Sequence, residues 1–61
     1  MTLPEDPVIL VSYLNTKLRD QYPDLESLRE GLDLDPAELS DAVAKLAAAG
    51  FSYSSDRNQF I

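Results

Sequence analysis

The 61-residue sequence contains no cysteine, no histidine and no tryptophan, and only 8% of its residues are aromatic. Without cysteine there is neither a disulfide framework nor a thiolate metal site to reinforce a small core. Without histidine and cysteine together, a serine–histidine relay, a thiolate nucleophile and an imidazole base are all unavailable. Positive charge is scarce as well, with 5 Lys plus Arg against 11 Asp plus Glu and a net charge of −6. Long apolar runs are missing too. The longest reach four residues, as in Val8-Ile9-Leu10-Val11, far below the roughly 20 residues that span a bilayer, and no basic segment precedes that run as in a secretory signal.

What is present is enough for one small folded domain, expected over residues 1–61. The hydrophobic fraction is 44%, above the range of disordered tails. A chain this short hides only about 60% of the surface its unfolded state exposes. No second domain fits, and a cytoplasmic location is expected. An acidic surface repels phosphate backbones and anionic lipid headgroups, so neutral or basic protein partners are favoured over nucleic acid and membranes.

Turn chemistry divides the chain into three helices and a hairpin. Asp6-Pro7 offers an N-cap followed by a first-position proline, and Leu10, Val11, Leu14, Leu18 and Tyr22 then recur at helical spacing until Pro23. This predicts a first helix over about 7–22. Asp24 can cap a second helix over 25–31 with Leu25 and Leu28 inward, and Gly31 is expected to take the left-handed position at its end. Asp35-Pro36-Ala37-Glu38 has the form of a capping box with a first-position proline, and Leu34 and Leu39 stand where a hydrophobic staple joins them. Leu39, Ala42, Val43 and Leu46 then point inward along a helix over 36–49. Gly50 before Phe51 reads as a left-handed stop. Over 51–61 the period falls to 2, and Ser55-Asp56-Arg57-Asn58 has the composition of a type I turn with Asn58 left-handed.

The expected fold class is therefore α+β and mainly helical, a three-helix helix-turn-helix core with a C-terminal two-stranded β-hairpin. The stretch Leu25–Phe51, LESLREGLDLDPAELSDAVAKLAAAGF, resembles a winged helix-turn-helix in its leucines, turn glycine, acid-proline cap and terminal Gly-aromatic pair. Over nearly the whole length the sequence also resembles a family of short bacterial proteins known only as a domain of unknown function. That likeness is carried by Leu3-Pro4-Glu5-Asp6-Pro7, by Leu14 to Asp20 and by Asn58-Gln59-Phe60. It implies a stand-alone chain and brings no activity, ligand or functional residue.

Helix-turn-helix domains commonly bind DNA, but the outer face of the third helix reads Ala37, Glu38, Ser40, Asp41, Ala44, Lys45 and Ala48. Base readout and phosphate contacts both need cations and amides. Lys45 and Ser40 are the only candidates there, while Asp33 and Asp35 add negative charge at the helix mouth. Asp33, Asp35, Glu38 and Asp41 lack the glycine and ligand spacing of a calcium loop, and capping explains Asp35 and Glu38. No catalytic, cofactor-binding or metal-ligating residue is assigned, no cofactor is expected, and an enzyme is not.

The first helix supplies the surface clue. Ile9 and Tyr13 form a second apolar strip beside the inward stripe, with Lys17 at its border and Arg19 nearby as a group able to grip a partner carboxylate. Two outcomes stand open: Tyr53, Phe60 or Leu3 covers the strip inside the monomer, or part of it stays exposed and pairs with a second copy or another protein. Asn15, beside the stripe near Val11 and Leu18, is expected to hydrogen-bond a nearby loop rather than a ligand. The functional expectation is a small acidic protein-binding module, with a nucleic-acid-binding transcriptional regulator as the alternative.

Overall fold

The computed structural model describes residues 3–61 and contains three helices, α1 (Pro7–Asp20), α2 (Leu25–Gly31) and α3 (Pro36–Ala48). A two-stranded antiparallel hairpin, β1 (Tyr53–Ser54) and β2 (Gln59–Phe60), follows them. Residues 1 and 2 of the expected span lie outside the described residues.

Each helix begins on an aspartate, because the first N–H groups of a helix have no intrahelical acceptor. The Asp6 carboxylate accepts from the Val8 amide at 2.8 Å and Pro7 occupies the first turn of α1. Asp24 accepts from the Ser27 amide at 2.7 Å, and this bond holds its carboxyl below the usual carboxylate range. At α3 the Glu38 carboxylate reaches back to accept from the Asp35 amide at 3.2 Å, within a capping box.

The helix ends show one agreement and one correction. Gly50 is left-handed at φ 96°, the Phe51 amide donates to the Leu46 carbonyl at 2.8 Å, and the Gly50 amide donates to the Ala47 carbonyl at 3.1 Å. That pair of bonds is the Schellman closure expected there. The same closure ends α2, with Leu34 donating to Arg29 at 2.9 Å and Asp33 to Glu30 at 3.2 Å. Its left-handed residue is Asp33 at φ 57°, not Gly31, which is still helical. Gly31 is small for another reason: the Tyr22 ring lies on its Cα, in the space a Cβ would occupy. Helices α1 and α3 stop at Asp20 and Ala48, slightly short of the expected 22 and 49.

Burial follows the α1 stripe closely. Leu10, Val11, Leu14 and Leu18 are buried with Leu28, Leu34, Ala42, Leu46 and Phe60 in one core, and Tyr13, Tyr22, Val43, Phe51 and Tyr53 pack around it half-buried. Each fully buried leucine contributes about 1.5–3 kcal/mol. Leu39, expected on the inward stripe, is instead only half-buried.

The hairpin pairs Tyr53 with Phe60 and Ser54 with Gln59, and Ser52 and Ile61 extend the ladder with two 2.9 Å bonds. The Tyr53 and Phe60 rings meet at 5.5 Å in a tilted arrangement. Two asparagines fasten it to α1. The Asn15 amide group donates to the Phe60 carbonyl at 3.1 Å and accepts from the Phe60 amide at 2.7 Å. It behaves as a third strand one residue long. Asn58, left-handed at φ 52° as expected, donates to the Leu18 and Tyr22 carbonyls at 3.1 and 2.9 Å, and its Oδ1 accepts from the Tyr53 hydroxyl at 2.7 Å. Burial pushes the Tyr53 hydroxyl above its ordinary pKa, so it remains a neutral donor.

Substitution Asn58→Gly separates the two duties of this residue. Glycine keeps the left-handed turn but removes the three side-chain bonds, so a loss of roughly 1–3 kcal/mol in urea unfolding is expected. Unchanged or raised stability would show that only the backbone conformation matters. Gly31→Ala is expected to cost about 1–3 kcal/mol by driving a methyl into the Tyr22 ring, measured in the same way.

Candidate functional site

The four surface positions proposed on α1 do not form one patch. Ile9, Tyr13 and Lys17 lie in a row at successive four-residue steps. Ile9 is 59% exposed, Tyr13 is half-buried against the core, and the Lys17 ammonium sits 5.6 Å from the centre of the Tyr13 ring. Such a placement is within the range of a cation–π contact. Arg19 is two residues beyond Lys17, about 200° around the helix. It is occupied by its own neighbour, donating to both oxygens of Asp20 at 2.9 and 3.2 Å. That pairing holds the Asp20 carboxyl below its usual range. What remains exposed of the strip is Ile9 at its N-terminal end, and the preceding residue, Val8, is 63% exposed.

The outer face of α3 is as the spacing places it, with Ala37, Glu38, Ser40, Asp41, Ala44, Lys45 and Ala48 all exposed. Lys45 borders a small recess of about 180 Å³ together with Glu38 and Asp41. No group of three or more acidic side chains that could hold a metal ion occurs among the described residues. No helix among them is long and apolar enough to cross a membrane.

A larger feature lies between α2 and α3. A groove of about 550 Å³ runs along the outer flank of α3, walled on the α2 side by Glu26 and Arg29. Its floor is built from two rows of α3 side chains, Leu39, Val43 and Ala47 at four-residue steps and Ser40 with Ala44 beside them. The alanines and serine are exposed, and Leu39 and Val43 are half-buried. This is where Leu39 goes instead of the core. α3 carries more apolar positions than the inner side uses, and that surplus on one helix was the available signal for the groove in the sequence.

The α2 wall is charged. The Arg29 guanidinium donates to Glu26, lies 3.8 Å from Glu30 and donates to the Leu34 carbonyl at 3.2 Å. Its side chain is only 22% exposed, whereas those of Glu26 and Glu30 are 65% and 69% exposed. Glu26 in first place, then Glu30 and Asp35, hold the guanidinium firmly protonated. Arg29 thus ties α2 to the turn leading into α3, and its charge is spent inside the wall. A lysine there cannot span both the carboxylates and the Leu34 carbonyl with one ammonium group. Arg29→Lys is therefore expected to lower the urea midpoint by an amount equivalent to about 1 kcal/mol, with the loss persisting in 0.5 M salt because the bond to Leu34 is not an ion pair.

Residues 4–60 match the family described as Domain of unknown function (DUF4250), and the chain belongs to that family. No curated protein and no solved structure matches it.

Proposed function

We propose that this member of a family of unknown function is a non-enzymatic protein-binding module that seats its partner in the groove between α2 and α3. The observation that carries the reading is the apolar floor of Leu39, Val43, Ala44 and Ala47, left uncovered in a broad, open groove. A contiguous exposed apolar patch marks an interaction site more often than a neutral stretch of exterior. The order of elements supports it further. A short helix, a tight turn, a capped helix and a hairpin follow one another as in a winged helix-turn-helix, a scaffold that turns one face of its last helix outward.

The charge on that face argues for protein rather than nucleic acid. Glu38 and Asp41 are exposed on α3 with Lys45 as the cation among them, and a duplex backbone would meet carboxylates where it needs counterion-releasing cations. The composition, without histidine or cysteine, supports a binding role over catalysis.

Affinity capture from a native lysate, with and without nuclease, tests the reading when the parent is run beside Ala44→Lys. Position 44 is exposed, and lysine is a good helix former, so the variant is expected to fold normally. The parent should retain protein whether or not nuclease is added, and the variant should retain at least about tenfold less. Retention that nuclease abolishes would replace this function with nucleic-acid binding, and equal retention by the variant would remove the groove from it.

A further inference from the structure

The geometry points to a specific occupant of the α2–α3 groove, an amphipathic α-helix that presents an apolar stripe flanked by lysines or arginines. This rests on the protein-docking reading above and adds the shape and charge of the partner.

Shape comes from the floor. Its apolar rows run along α3 from Pro36 to Ala47, a rise of about 16 Å or roughly three helical turns. The floor is a ridge-and-groove surface made by side chains four residues apart, which an incoming helix matches with its own four-residue rows. Ser40, Ala44 and Ala47 let that helix approach closely, while Leu39 and Val43 provide the half-buried edge against which its larger side chains settle. An extended peptide needs a strand edge for its backbone N–H and C=O groups. Both walls here are helices whose backbone bonds are already made.

Charge comes from the rim. Glu26 and Glu30 lie one turn apart on α2 with largely exposed carboxylates, and Asp35 acts on the same guanidinium at the head of α3. One cation, Arg29, faces three carboxylates, and it is enclosed in the wall and engaged by Leu34 as well. Lys45 belongs to the recess on the other flank of α3. Glu26 and Arg29 line the groove and Glu30 stands beside Arg29, so these three side chains place one net negative charge next to the apolar floor, and the chain as a whole carries −6. A second copy would bring like charge to this rim, whereas a basic helix brings the complement.

Three synthetic helical peptides of about 14 residues, long enough to cover the floor, test the inference against the intact chain. The first has a leucine-alanine stripe flanked by lysines, the second the same stripe flanked by glutamates, and the third the first composition scrambled so that no stripe forms. Titrations are followed by amide shifts of the 15N-labelled protein. The basic peptide should shift Ser40, Val43, Ala44 and Ala47 saturably, and the other two should bind at least tenfold more weakly. Ala44→Lys, with its remaining spectrum unchanged, should weaken the basic peptide by at least tenfold, and 0.5 M salt should weaken it further.

Equal binding of the scrambled peptide, shifts confined to the hairpin or α1, or no binding by the basic peptide would each overturn the inference. Groove shifts that grow with protein concentration alone would overturn it in favour of a second copy. Preference for the glutamate peptide in the groove would overturn the basic partner while leaving the docking reading intact. Loss of the docking reading itself is read separately, from the capture comparison with Ala44→Lys.

Discussion

Two asparagine side chains hold the C-terminal hairpin to the first helix, and the arrangement of the remaining elements depends on that attachment. The two strands comprise two residues each, too few to persist alone in water. Asn15 completes the ladder of β2 by exchanging both hydrogen bonds with Phe60. Asn58 supplies donors to the Leu18 and Tyr22 carbonyls where α1 ends, a place where helix carbonyls otherwise face solvent unpaired. A primary amide is suited to both tasks because it donates and accepts like a peptide group. The Tyr53 hydroxyl fixes its orientation at Asn58.

With the hairpin fastened, Phe60 is carried into the core beside the leucines of α1, and Tyr53 and Phe51 close over it. α1 then has its inner side occupied by β2 on one flank and α3 on another. This leaves α3 with Ala42 and Leu46 facing inward and with Leu39, Val43, Ala44 and Ala47 turned progressively toward α2 and solvent. Helix α2 is too short to cover that flank, since it runs only from Leu25 to Gly31. The groove is the remainder of the α3 flank, which α2 meets only through Glu26 and Arg29 while packing on α1.

Electrostatics add selectivity to that remainder. Most acids near the helix starts have local work: Asp6, Asp24 and the Asp35–Glu38 pair satisfy amides at the openings of the three helices. Glu26 and Glu30 have a different role, since both surround one arginine and leave an excess of negative charge beside an apolar floor. The proposed function and its preferred partner follow from this adjacency of uncovered apolar surface and unbalanced carboxylate.

Helix starts, the Gly50 stop, the left-handed Asn58 and the buried stripe of α1 were legible in the sequence, because caps, turns and periodic burial are decided by residues within a few positions of one another. The same local logic misassigned Gly31: its neighbours suit a stop, but the helix runs through it and closes on Asp33, which takes the left-handed conformation, while Gly31 leaves room for the Tyr22 ring nine residues earlier. It also placed Leu39 inside, since periodicity gives a direction around α3 but not the reach of α2 beside it. The bonds from Asn58 to residues 36 and 40 positions away, the 45-residue link from Asn15 to Phe60, and the groove itself were settled only by tertiary structure. The physical reason is that a side chain's polar partner, or the surface it leaves uncovered, is chosen by which elements pack together in space, and spacing along the chain carries no record of that choice.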